Sequence, residues 1–361
     1  MLKKTCLFAL LALAEMAYSC TGIVRKADNG DIIYARTMEF EPQFLSYSLL
    51  FVPSGTDAKS QTQDNTDGLH WKTKYAYVGF NPFSLPIVVD GINEKGLACG
   101  GFYFQGFAEY EDVPQDQYKN SITNLDVISW VLGNFASVAE AKEAIQKTKV
   151  RGTQFKDWGI VPPIHYVIVD ASGDKAVLEY VDKKLKIYDM PLGVITNSPT
   201  YDWHNTNARN YIGLRATNRP TTKLDGIDLT PLSQGSGAIG LPGDFTSPSR
   251  FIRAAFFRAT VLPGKDAEGE LGQTFKILNQ FDIPTGSVRG ESNGKVIYEE
   301  TQWTSASDLA NRRYIFNTYQ SRLLRSVNLK TLMEKVKEMK SIPIDFPQSF
   351  QDITSSFTTG R

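Results

Sequence analysis

The sequence predicts an α+β fold built in layers. Three observations point there: β-prone runs fill the first hundred residues, two helical patterns follow them, and strands and then helices return between residues 164 and 319. Two β blocks flanking helical pairs pack as sheets covered by helices. No internal repeat, low-complexity tract or clear interdomain linker interrupts the chain, and residues 20–361 are expected to form one domain.

The first element is a hairpin. Residues 21–26 and 32–38 are β-prone runs around Asp28-Asn29-Gly30-Asp31, a turn signature. With Asn29 and Gly30 at the loop centre, Cys20 falls opposite Glu39. Arg36 is then out of phase with that face, so bringing it to the Cys20 thiol requires a bulge or a bend. Strands are expected next at 75–80, 87–89 and 97–104, then helices at 125–135 and 138–148. The second helix carries a capping box, with Ser137 as N-cap and Glu140 three residues on, and an apolar stripe of Val138, Ala141 and Ile145 continued by Thr148. Strands follow at 164–170, 176–180 and 185–188. A glycine-rich loop spans 235–243, and Pro248-Ser249-Arg250 starts a helix with Ile252, Ala255, Phe256 and Ala259 on one face. A helix near 273–280 and strands near 301–304 and 312–319 complete the series.

The first nineteen residues read as a secretory signal. Lys3 and Lys4 give a basic start, an apolar run follows from Cys6 to Ala14, and Ala17-Tyr18-Ser19 puts small residues at the −3 and −1 positions before Cys20. The apolar run falls short of the roughly 20 residues a membrane span needs. The mature chain is therefore expected to be exported, periplasmic or secreted, with no membrane span. Lys plus Arg and Asp plus Glu are 39 each, a balance that gives nucleic acid no electrostatic reason to bind, and 42% hydrophobic residues allow a sizeable core. A small-molecule substrate is the expectation, with no cofactor and no metal.

Cleavage before Cys20 would expose a residue that unites two functions, because its thiol attacks a carbonyl while its own α-amine relays the proton. Such an amine titrates near 8 and a free thiol near 8.5, about the right range for neutral pH. No catalytic histidine is then required, and His70, His165 and His204 show no Cys-His or metal-ligand spacing, so each reads as a hydrogen-bonded structural group. Cys99, in the small apolar run Leu97-Ala98-Cys99-Gly100-Gly101, reads as a buried, inert thiol rather than a disulfide partner of Cys20. Lipidation of Cys20 is the competing use of an exported cysteine, although it favours a large aliphatic residue where this chain has Ala17. Acylating the α-amine would remove the base.

Five spaced motifs go further. Cys20-Thr21-Gly22, Arg36-Thr37-Met38-Glu39, Asp90-Gly91-Ile92-Asn93-Glu94-Lys95-Gly96-Leu97, Thr196-Asn197-Ser198-Pro199-Thr200-Tyr201-Asp202-Trp203 and the run from Gly240 to Phe251 resemble, in order, the choloylglycine hydrolase family of bile salt hydrolases and penicillin V acylases. The resemblance implies a four-layer αββα sandwich of the N-terminal-nucleophile hydrolases and hydrolysis of a linear carbon–nitrogen amide bond. It places Cys20 as nucleophile, Arg36 beside the thiol, Asn197 at the oxyanion and Arg250 in support, with Met38 and Tyr103 as substrate-binding residues. A guanidinium near sulfur favours thiolate, and an amide N–H offsets charge growing on a carbonyl oxygen.

The chain departs from the family at two positions. Glu39 stands where the family usually has aspartate, keeping a carboxylate for the α-amine on a side chain one methylene longer. Tyr103 stands where bile salt hydrolases typically carry asparagine, and is similar to the penicillin V acylases. Residues 229–243 resemble the loop through which family members assemble as tetramers, implying a homo-oligomer. Penicillin V or conjugated bile salts are the expected substrates. The alternatives are an N-acyl homoserine lactone acylase and an exported binding protein or lipoprotein with impaired catalysis.

Overall fold

The computed structural model describes residues 19–41, 46–60, 62, 66–82, 85–156, 158–292 and 294–357. Of the expected leader, only Ser19 is among them. Two antiparallel sheets stack face to face. The first has seven strands: Val194–Ile195, β1 (Cys20–Lys26), β2 (Ile32–Phe40), Lys295–Asp308, Arg313–Thr318 and Arg325–Asn328 in that order, with Val288–Ser292 paired to the Lys295–Asp308 strand. The second has eight, running from Lys184–Asp189 through Lys175–Val181, Ile164–Asp170, Leu97–Tyr103, Asp90–Asn93, Tyr77–Pro82 and Tyr47–Val52 to Lys340–Pro343.

Helices cover both outer faces. On the second sheet lie α1 (Val127–Asn134) and α2 (Val138–Lys147), and Val131, Leu132, Val138, Ala141 and Ile145 share a buried cluster with Leu97, Cys99, Tyr166 and Ile168. The capping box forms, with the Glu140 N–H donating to Ser137 Oγ at 3.2 Å. A short helix, α3 (Tyr201–Ala208), precedes the two that cover the first sheet, α4 (Ser247–Thr260) and α5 (Ala267–Leu278). The order helix, sheet, sheet, helix is the layered α+β arrangement expected.

Alternation along the strands shows which layer each residue serves. In the Leu97–Tyr103 strand, Ala98 and Phe102 enter the cluster between the sheets, while Leu97 and Cys99 enter the one under α1 and α2. Cys99 is buried and free on the face away from Cys20, so the two thiols do not pair.

Several local expectations are corrected. Ile87 and Val88 are buried and Val89 is half-buried, but the strand begins only after them, at Asp90–Asn93. Gly91 there packs so closely on Gly79 that a Cβ would lie 2.5 Å from the Val78 carbonyl oxygen. The apolar run marked burial, and the strand needed glycine instead. In α4 the buried residues are Arg250, Phe251, Ile252, Arg253 and Ala254, while Ala259 is exposed. A hydropathy pattern misses this face because two arginines form part of it. The helix expected near 273–280 begins at Ala267, capped by Asp266, whose side chain accepts from the Gly269 N–H.

Candidate active site

The first hairpin turns through Asp28-Asn29-Gly30, with the Ala27 N–H donating to the Asp31 carbonyl at 2.9 Å and Gly30 at φ 99°. This is a three-residue loop ending in a left-handed glycine, one residue longer than the sequence reading assumed. The pairing slips accordingly: Cys20 stands opposite Met38, and Gly22 opposite Arg36. A one-residue slip exchanges faces. Cys20, Arg36 and Met38 therefore share the face toward the second sheet, with no bulge needed, while Glu39 belongs to the other face.

The thiol of Cys20 lies 3.7 Å from Met38 Sδ, which is 3.7 Å from a guanidinium nitrogen of Arg36. Arg36 is fully buried and donates to the carbonyls of Gly101 and Thr37, with its guanidinium 4.0 Å from the centre of the Phe102 ring. Burial pushes the Cys20 thiol pKa up, Arg36 pulls it down, Glu39 raises it and Arg250 lowers it. Asp90, from the third motif, is also buried between the sheets, accepting from Ser305 Oγ at 2.8 Å and Tyr314 OH at 2.5 Å.

Asn197 and Arg250 reach the main chain of Cys20. Its N–H donates to Asn197 Oδ1 at 2.7 Å. Arg250 donates to that same Oδ1 at 2.8 Å, to Thr21 Oγ1 at 3.0 Å and to the Cys20 carbonyl. Two donors on Oδ1 settle the orientation of the Asn197 amide, whose Nδ2 donates to the Tyr103 carbonyl at 2.8 Å.

Glu39 does not meet Cys20 N as expected. Its Oε1 accepts from Thr301 Oγ1 at 3.1 Å, Arg250 is the cation acting most strongly on it, and Asn197 takes the acceptor position at Cys20 N. Burial raises the Glu39 carboxyl to about 8, against lowering by Arg250, Thr37 and Thr301. Glu299 behaves alike, raised by burial to about 7.

A pocket with about 720 Å³ of empty space, its open mouth included, is lined by Cys20, Met38, Phe40, Tyr103, Ile128, Trp158 and Ile164 among others. Phe40 and Trp158 stack with centroids 5.4 Å apart. Both expected substrate-binding residues, Met38 and Tyr103, thus line it, and burial pushes the Tyr103 phenol up to about 12. Sequence reading missed Phe40, Trp158 and Thr301, for which no local signal exists. Among the described residues no group of His, Cys, Asp or Glu could hold a metal, and no helix is long and apolar enough to cross a membrane.

Residues 20–341 match the model of the linear amide C–N hydrolases, choloylglycine hydrolase family. The chain belongs to that family. A bile salt hydrolase/transferase of Clostridium perfringens is 35% identical over 314 residues, 86% of this chain and 92% of its own length. A penicillin V acylase of Pectobacterium atrosepticum is 28% identical over 316 residues, 81% of this chain and 76% of its own. The solved structure of a conjugated bile acid hydrolase variant from Clostridium perfringens gives a TM-score of 0.82 at 33% identity, covering 92% of this chain and 100% of that one. Penicillin V acylase from Agrobacterium tumefaciens, at 21% identity over 91% of this chain and 94% of its own, shares the fold with a TM-score of 0.70. The chain thus has the four-layer αββα sandwich of the N-terminal-nucleophile hydrolases, and as a member of the choloylglycine hydrolase family it is a linear amide hydrolase.

Proposed function

We propose that the chain is exported, loses residues 1–19, and hydrolyses amides with Cys20 as its N-terminal nucleophile. The observation that carries this reading is the position of Cys20: its side chain lines the apolar pocket while its nitrogen is held 2.7 Å from Asn197 Oδ1. With Ser19 attached, that nitrogen is an amide and no base. Freed, it becomes an α-amine that takes the thiol proton as sulfur attacks the acyl carbon and returns it to the departing amine. Water then cleaves the thioester. Asn197 Nδ2, with one hydrogen on the Tyr103 carbonyl, keeps a second for the oxyanion. Arg36 favours the thiolate, and Arg250 holds the main chain of Cys20 still.

The pocket suits an apolar acyl group. Conjugated bile salts come first as substrates because relatives 35% identical carry that activity in their names. Tyr103 in the pocket lining favours the smaller aromatic acyl group of penicillin V as a second reading. Assembly into a homotetramer would cover the exposed Leu224, Ile227, Leu229 and Leu232 on and after the 222–229 hairpin.

The test is a comparison of two forms, one beginning at an unmodified Cys20 by intact mass and one retaining Ser19. Each is assayed on conjugated bile salts, penicillin V and acyl homoserine lactones. Only the first should hydrolyse any of them. Equal activity of both forms would overturn the α-amine as base, a lipid mass on Cys20 would indicate a lipoprotein, and a clean but inactive Cys20 form would sink the amidase reading.

A further inference from the structure

Two of the chain's three histidines stand on either side of Asn197. His165, on the Ile164–Asp170 strand, has Nε2 3.0 Å from the Thr196 carbonyl oxygen and Nδ1 3.0 Å from Glu179 Oε1. His204, on α3, has Nε2 2.9 Å from the carbonyl oxygen of Asn197 itself. Both are 1% exposed, and each lies against a phenylalanine: His165 on Phe104 with planes 1° apart, His204 on Phe251 with planes 13° apart.

The chemistry of the acceptors determines where the hydrogens lie. A carbonyl oxygen offers only lone pairs, so both Nε2 atoms must carry hydrogen. His204 Nδ1 has no hydrogen-bond partner, and burial holds the ring down to about 4, leaving it neutral with its one hydrogen on Nε2. For His165 both ring nitrogens face acceptors, so a second hydrogen lies between Nδ1 and Glu179. That same carboxylate oxygen accepts the Tyr201 N–H at 2.9 Å, at the first residue of the helix that carries His204. The two rings are therefore coupled through Glu179 and α3.

Three main-chain groups at Asn197 are then engaged. Its N–H donates to Ser247 Oγ at 2.9 Å, its carbonyl accepts from His204, and the carbonyl before it accepts from His165. Turning the Thr196–Asn197 peptide, held by His165 and Ser247, or the Asn197–Ser198 peptide, held by His204, would strand a buried polar group, at a cost of about 1–3 kcal/mol for each bond lost.

We propose that His165 and His204 are positioning residues for amide hydrolysis, clamping the two peptides that flank the Asn197 Cα so that its free side-chain amide hydrogen points at the developing oxyanion. This rests on the proposed role of Asn197. Neither ring touches substrate, so the clamp acts where charge grows on the carbonyl oxygen and its loss is felt in kcat before KM.

The test uses the processed enzyme. His204→Leu keeps bulk and loses the donor, whereas His204→Gln carries an amide nitrogen to about the place of Nε2. The leucine variant should fold, keep KM within about twofold and lose roughly tenfold or more in kcat, and the glutamine variant should recover most of that loss. Should the leucine variant fail to fold, His204→Asn, whose amide stops near the Nδ1 position, must show the same kcat loss. Undiminished kcat in a folded Leu or Asn variant, or a loss that glutamine does not repair, overturns the clamp. ¹⁵N NMR of the wild-type imidazoles provides a readout apart from activity: the His204 ring should keep hydrogen on Nε2 and a bare Nδ1 from about pH 6 to 9. The opposite tautomer also overturns the clamp. An inactive wild type with the expected tautomer would instead overturn the amidase reading, and the catalytic role of the clamp with it.

Discussion

Met38 faces Cys20 directly across the first hairpin, and its sulfur is 3.7 Å from the thiol on one side and 3.7 Å from the Arg36 guanidinium on the other. The polarizable thioether thus occupies the space between the Cys20 thiol and the cation that favours its ionised form. Arg36→Gln removes that cation. The thiol pKa should rise, moving the pH profile of Cys20 alkylation by iodoacetamide to higher pH and lowering hydrolysis at neutral pH by about tenfold or more. A profile identical to wild type would show that Arg36 serves packing alone.

The two cysteines should behave oppositely. Cys20→Ser replaces the proposed nucleophile by a neutral hydroxyl and should reduce hydrolysis by roughly 10³-fold or more. Cys99 faces α1 and α2, so Cys99→Ala should leave kcat within about twofold and cost about 1–2 kcal/mol of unfolding free energy, measured by urea denaturation. Comparable losses of activity in both would refute the assignment.

Glu39 should make stability depend on pH. Its folded pKa is about 8, above an ordinary 4.5, so the native state holds a proton that the unfolded chain has already released. The stabilising contribution is complete at low pH and is lost as pH rises through that interval; Glu299, at about 7, acts with the same sign. In the chain that retains Ser19, the melting temperature should fall between about pH 5 and 8, and Glu39→Gln should make the decline shallower. A decline as steep in the variant as in wild type would contradict the buried, protonated Glu39.

Gly22 sits opposite Arg36, and a Cβ there would lie 2.7 Å from Phe102 Cζ and 2.8 Å from Ile195 Cγ2. Gly22→Ala should therefore push on the ring that carries the Arg36 guanidinium, costing about 1–3 kcal/mol by thermal unfolding and lowering activity in the folded fraction. Unchanged stability would mean that the two sheets are less tightly packed at this point.

The sequence by itself determined the class of layers, the first hairpin and part of the later strands and helices, the family, and the identities of the residues that meet at Cys20. These are local properties: period, caps, turns and ordered motifs are written in neighbouring residues. Only the tertiary structure decided which of them face one another. The register of the first hairpin turned on whether Gly30 closes a two- or three-residue loop, and that single residue moved Arg36 and Met38 to the thiol and Glu39 away from it. Asn197 lies 177 positions from Cys20 and Arg250 lies 230, separations over which no periodicity carries information. The histidines show the same limit. Their residue type and spacing predicted hydrogen bonds, while the partners, two carbonyls flanking Asn197, exist only once the Ile164–Asp170 strand and α3 pack on either side of that peptide.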